Sequence, residues 1–254
     1  MAGERRRRIL ELLAQSAGPG LETTRLCDVC AEVTVMSGAG IMLISGGVPR
    51  GSVCTTDEVS ALIERLQYDL GEGPCVDAYR QDRAVLEADL AHPTQIRWPA
   101  FRGPAIDAGV GAVFGFPLQV GAVRLGALNL YRAEAGPLSD EQHADALVMA
   151  DVAAQAVLVA QAGAPPGQVA VELEAVAEFQ YVVHQASGMV AAQLEVSVAH
   201  ALIRLRAYAF SHGLALALAA AEVVARRLRF DDRGERDPVP RPRAARGGDG
   251  WAVV

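Results

Sequence analysis

The chain has 254 residues, 51% of them apolar, and a formal net charge of −7. That is enough apolar material for one large or two small cores, which excludes a disordered chain, and the acidic balance excludes nucleic-acid binding through bulk positive charge. All 23 basic residues are arginine and unevenly placed: residues 21–160 carry 18 acids and 9 arginines, a net −9, whereas residues 196–230 carry five arginines and one acid, so any polyanion is expected at the rear.

The first twenty residues open with Arg5, Arg6, Arg7 and Arg8 and then an apolar run, the order of a secretory signal, but Glu11 and Gln15 break the run. Residues 1–20 are therefore expected to be a mobile basic arm on a cytoplasmic protein. No later segment offers about eighteen uninterrupted apolar residues, so no membrane span is expected. The four cysteines, Cys27, Cys30, Cys54 and Cys75, are expected to be buried free thiols of a reducing compartment. As a zinc set they lack a second CxxC pair and a histidine at ligand spacing.

Residues 21–35 have helical periodicity, and an apolar strand over 41–45 turns at Gly46 and Gly47 into a second strand over 51–55, a hairpin. Asp57 is placed to cap a helix that runs to residue 70. Gly71 and Gly73 then mark a tight loop before a short helix or turn ending near residue 80. A strand is expected over 84–87, a loop over 89–93 and a short helix over 98–108. Two apolar runs, 112–120 and 123–131, are separated by Gly121 and read as adjacent antiparallel strands. Ser139, with Glu141 and Gln142 behind it, opens a long helix to residue 161. This order predicts a mixed antiparallel sheet with helices packed on it, an α+β domain over residues 21–162.

The motifs of this region are Gly71-Glu72-Gly73-Pro74-Cys75 with Asp77-Ala78, Asp89-Leu90, Trp98-Pro99 with Phe101, Phe116-Pro117-Leu118, and Leu125-Gly126-Ala127-Leu128-Asn129-Leu130. They resemble those of GAF domains, and the resemblance implies a sensory or dimerising role with an unidentified small-molecule ligand. A pocket is expected where the 98–108 helix and the 71–75 loop cover the sheet. No cluster of charged pocket residues is visible in the sequence, and Trp98 and Phe101 read as core. Glu72 and Asp77 lack a partner that would tune them for catalysis.

Residues 163–168, GAPPGQ, form a linker. A helix follows from residue 169 to 194, with Leu173, Val176, Val183, Val190 and Leu194 on an a/d stripe that suits a homodimer seam or a bundle core. Ser197 caps a second helix, Gly213 closes it, and a third runs over 216–230, ending in Arg226, Arg227 and Arg229. Residues 231–254 are rich in proline, glycine, arginine and aspartate and are expected to be a disordered tail.

Within this all-α three-helix unit, Gln185-Ala186-Ser187-Gly188-Met189, Val196-Ser197, Ala201, Leu205-Arg206, Ala209 and Val223-Val224 resemble the ANTAR domain. That resemblance covers residues 169–230 and implies a transcription antitermination regulator that binds hairpin loops of RNA. Gln185, Ser187, Gly188, Arg204, Arg206, Ser211 and His212 supply candidate RNA contacts, Arg206 first among them because the Leu205-Arg206 pair matches the family motif, and Tyr208 would stack on a base if exposed. Structural roles compete with these: Gly188 as a site of close helix packing, His212 as a solvated turn residue, and Arg206 as the partner of Glu178 or Glu195. A DNA-binding helix-turn-helix is the second reading, and a GAF-domain thiol enzyme using Cys54 and Cys75 the third. No cofactor and no metal are expected, and the protein is not expected to be an enzyme.

Overall fold

The structure is a computed structural model that describes residues 2–14, 23–162, 178–231 and 234–236. Its middle layer is a five-stranded antiparallel sheet of order β2-β1-β5-β4-β3. The strands are β1 (Gly38–Ser45), β2 (Val48–Thr55), β3 (Val85–Glu87), β4 (Ala112–Val120) and β5 (Val123–Arg132). Because side chains alternate along a strand, Ile41, Phe114, Phe116, Leu128 and Leu130 enter one core with α1 (Ala2–Ala14), α2 (Thr23–Thr34) and α6 (Asp140–Ala162). Met42, Ile44, Val113, Ala127 and Tyr131 enter the other, with α3 (Glu58–Leu70), α4 (Pro74–Gln81) and α5 (Pro99–Asp107).

Local chemistry fixes these boundaries. Ser45 pairs with Val48 across Gly46 and Gly47, whose φ values of 61° and 77° fit a two-residue hairpin turn that follows the twist of the strands. Asp57 accepts from the Ser60 amide at 2.7 Å while the Ser60 hydroxyl accepts from the Asp57 amide at 2.9 Å, a reciprocal cap on α3. Ser139 and Gln142 make the same exchange at the start of α6.

The expected basic arm is instead helix α1 over residues 2–14. Ile9, Leu12 and Leu13 recur at helical spacing and dock on the α2–α6 core, Ile9 with full burial. Arg5 pairs with Asp145 at 2.6 Å, and Arg6 pairs with Asp151, so the arginines bind the acids of α6. Over Asp140–Ala160, α6 has the length and hydropathy to cross a membrane. Here Ala146, Met149 and Ala153 are buried against the sheet layer, as in a core helix.

Behind the sheet domain, α7 (Glu178–Leu194), α8 (Val198–Ser211) and α9 (Leu216–Val224) enclose Val183, Ala186, Val190, Ala201, Leu205, Ala220 and Val223. Ser197 caps α8 through the His200 amide at 3.3 Å, and Gly213 takes the left-handed conformation at φ 62°. The third helix is shorter than its periodicity suggests. Arg226 turns at φ 59°, which frees Leu228 and Phe230 to fold back into the core, and β6 (Arg229–Asp231) then pairs with β7 (Gly234–Arg236). The first part of the expected tail is therefore ordered. The linker at 163–168, the helix start at 169 and the seam positions Leu173 and Val176 lie outside the described residues.

The cysteine expectation also needs correction. Cys27 on α2 is bonded to Cys54 on β2, with Cα atoms 6.0 Å apart, while Cys30 and Cys75 are free and buried. The CxxC spacing drew attention to Cys30, but the packing of α2 on the sheet edge selects Cys54. Cys54 and Cys75 lie in the cores on opposite faces of the sheet, so they do not form one dithiol. The bridge closes a loop with a sequence separation of 27 residues. A non-reduced digest is expected to yield the Cys27–Cys54 cross-linked peptide, and reduction or Cys27→Ser to lower stability by about 2 to 4 kcal/mol in denaturant titration.

Candidate functional site

On the α3 side of the sheet, the central strand β5 places Asn129 between Ala127 and Tyr131, facing inward with no exposed surface. In register, Asn129 stands between Gly40 on β1 and Gly115 on β4. Those two positions must lack side chains. A Cβ at Gly40 would come within 2.8 Å of Glu64 Oε1, and one at Gly115 would overlap the Pro74 carbonyl at the start of α4. The two glycines thus let α3 and α4 settle onto the sheet on either side of Asn129.

The result is a buried polar cluster. Both carboxyl oxygens of Glu64, Nε2 of Gln67 and both amide atoms of Asn129 are shut from solvent without a hydrogen-bond partner among the described residues. Gln67 Oε1 accepts from the Cys75 amide at 2.7 Å, so the cluster is tied to the 71–75 loop. Desolvation raises the Glu64 carboxyl to about 8. Burial, with the charge of Glu64 nearby, holds the Cys75 thiol well above its ordinary range, which makes it a poor nucleophile. Met42, Ile63, Trp98, Phe101 and Tyr131 supply the apolar surroundings.

The expected covering elements are present, with roles that belong to structure. Glu72 accepts from the amides of Ala100 and Phe101 at 2.8 and 3.0 Å and so caps α5. Asp77 accepts from Trp98 Nε1 at 2.9 Å. Trp98 and Phe101 are core residues, stacked edge to face. The cluster itself was missed in the sequence. Its signals were the polar residue in the Ala127, Asn129, Tyr131 alternation and the inward spacing of Ser60, Ile63, Glu64 and Gln67 on α3.

On the rear helices, Gln185, Arg204, Ser211 and His212 are exposed. Ser187 is buried, and its hydroxyl donates to the Val183 carbonyl at 2.7 Å within α7. Gly188 is half-buried, and a Cβ there would meet no atom within 4 Å, so no close helix packing requires it. Tyr208 is buried, with the His212 ring stacked on it at 4.0 Å and Phe230 against its edge. It is therefore not available to stack on a base in this arrangement. His212 Nδ1 and the Ser211 hydroxyl both lie within 3.0 Å of the Tyr208 carbonyl, closing the end of α8.

Arg206 points away from that surface. Its Nη2 donates to the Tyr68 carbonyl at the end of α3 at 2.6 Å, its guanidinium covers Gly71, and its Nε is buried without a partner among the described residues. Burial lowers its pKa to about 10, which still leaves it charged at neutral pH. Its partner is therefore the sheet domain and not Glu195; the Glu178 side chain lies outside the described residues. Beside Arg206 lies the Asp69 carboxylate, whose charge favours the guanidinium, and Arg50 Nη1 lies 2.9 Å from His184 Nε2.

The raised Glu64 carboxyl has a stability consequence. Its folded value of about 8 lies above the ordinary 4.5, so folding takes up a proton between those values. Its contribution is fully present below pH 4.5 and is lost as pH rises through about 8. Glu64→Gln keeps the shape and removes the titration. The variant is expected to be more stable than the parent at pH 9, on the order of 5 kcal/mol at the limit, with the difference vanishing below about pH 4 in thermal melts.

Residues 23–157 match the GAF domain family. Among solved structures the chain is similar to the GAF domain of a phosphoenolpyruvate-protein phosphotransferase from Coxiella burnetii, with 17% identity over 63% of this chain and 95% of that one, at a TM-score of 0.47. The corresponding domain from Acinetobacter is 11% identical over 64% of this chain and 96% of that one, at a TM-score of 0.46. A type II free methionine-R-sulfoxide reductase from Thermoplasma acidophilum is 16% identical over 58% of this chain and 93% of its own, at a TM-score of 0.40. At these levels nothing about activity follows. No curated protein is significantly similar to the chain in sequence. The matched residues take in the whole sheet and the helices on both of its faces, and on that basis the chain belongs to the GAF domain family.

Proposed function

We propose that the chain is a transcription antitermination regulator in which the GAF domain receives a signal or supports a homodimer and helices α7 to α9 bind hairpin loops in nascent RNA. The observation that carries this reading is the rear helical unit. Ala186, Ala201, Leu205, Ala209 and Val223, five of the apolar residues of the ANTAR-like motif, lie in its buried core, while Gln185 and Arg204 are left on its surface. Exposed Arg226 and Arg229 add positive charge to the same unit. An arginine and an amide offer the paired donors that unstacked loop bases accept. The buried cluster of Glu64, Gln67 and Asn129 supports the sensory half, since unpartnered donors and acceptors in an apolar setting favour a ligand that satisfies them.

The helix-turn-helix reading is weaker because α9, the helix that would enter a major groove, has the sequence LALAAAEVV and no basic residue. A thiol enzyme is disfavoured by the bond between Cys27 and Cys54 and by the buried, protonated Cys75. In competition binding at fixed salt, the full chain is expected to prefer a two-hairpin RNA over random RNA and duplex DNA. Arg204→Ala is expected to weaken that binding by about 1 to 3 kcal/mol if it contacts a base, or to lower the salt slope if it contacts phosphate. Equal affinity for duplex DNA would refute the proposal. Light scattering at micromolar concentration is expected to give twice the 26.7 kDa chain mass.

A further inference from the structure

The rear helices meet the GAF domain at one small corner. On the GAF side it consists of Val48 and Arg50 on β2 and of Tyr68, Asp69 and Gly71 at the end of α3. Two hydrogen bonds and a charge contact hold it. The Tyr68 carbonyl accepts from Arg206, Arg50 donates to His184 through the tautomer with a bare Nε2, and the Asp69 carboxylate lies close enough to Arg206 for their charges to attract.

The corner is poorly satisfied for a permanent joint. Arg206 has left water for one hydrogen bond, to the Tyr68 carbonyl, and the nearby charge of Asp69, with its Nε buried and unpartnered among the described residues. Undocking would return a guanidinium to solvent, so the cost of breaking the contact is offset by recovered hydration. The same turn of α3 also faces inward. Gln67, one residue before Tyr68, holds the Cys75 amide and belongs to the buried polar cluster, and its carbonyl accepts from the Gly71 amide at 2.9 Å. Whatever re-pairs Glu64, Gln67 and Asn129 must act on the segment that grips Arg206.

We infer that this corner is an autoinhibitory contact: the end of α3 withholds Arg206, and the helical unit becomes competent for RNA when the Tyr68–Gly71 turn releases it. The inference rests on the RNA-binding reading above. It explains why a cation on the most basic part of the chain is turned toward the acidic domain and away from solvent.

The test uses the full chain and a two-hairpin RNA. Gly71→Ala places a Cβ within 2.5 Å of Arg206 Nη1, and Asp69→Ala removes the carboxylate beside Arg206 without touching a left-handed residue. Each is expected to tighten RNA binding about fivefold or more, since apparent affinity scales with the competent fraction. The gain is expected to vanish when Arg206→Ala is added. Hydrogen exchange at the residue 71 amide, which bonds the Gln67 carbonyl beneath the Arg206 guanidinium, reads the dock without RNA and is expected to speed up in both variants. If Gly71→Ala fails to fold, Asp69→Ala decides. Faster exchange with RNA affinity equal to or weaker than the parent's overturns the inference while leaving RNA binding in place. Faster exchange with no RNA binding by parent or variants overturns the functional reading and the inference together.

Discussion

A sheet covered by helices on both faces has no solvent to offer the side chains of its central strand, and β5 carries Asn129 there. The neighbouring glycines at 40 and 115, the approach of α3 and the seat of α4 are all arranged around that one amide. Glu64 lies over the same ground, so a carboxyl and two amides share a space that the other face fills with phenylalanine and leucine. Leaving such groups unpaired costs about 1 to 3 kcal/mol each, which marks this face as the one kept for something other than stability. The opposite face bears the disulfide and the ion-paired α1 and has the character of a fixed platform.

Helix α3 joins the two halves of the molecule. Its first turn is held by the Asp57–Ser60 exchange, and Asp57 also accepts from the Tyr131 hydroxyl at 2.6 Å, which anchors that end to the sheet. Its last turn has no such anchor and is shared between the buried cluster and the rear helices. A helix fixed at one end and contested at the other is suited to moving at the contested end.

Much of this architecture could be read from residue order. The hairpin at Gly46-Gly47, the Asp57 and Ser139 caps, strand β4 and the three rear helices follow from period and punctuation, because local chemistry decides them. What escaped depends on distant partners. The fate of Arg5 and Arg6 was set by Asp145 and Asp151, more than a hundred residues away, and a run of arginines looks the same whether solvated or paired. Cys27 found Cys54 through the packing of α2 on β2. Arg206 was expected on an open surface, but α8 is a short amphipathic helix whose half-buried edge is claimed by another domain. Ser187 looked like a free donor, whereas a hydroxyl in mid-helix can turn back on its own backbone.

The rear unit does not end with its third helix. After α9 stops at Val224, the chain bends so that Leu228 and Phe230 complete the core, and the Phe230 amide donates to Gln193 Oε1 on α7 at 2.9 Å. The stacked pair of Tyr208 and His212 leans on Phe230 as its outer wall. The hairpin after α9 is thus a lid that seals the bundle at the turn between α8 and α9. The segment that buries this apolar surface extends past the last helix at least to Phe230 in β6, and a boundary drawn at the last helical turn would cut through a hydrophobic core.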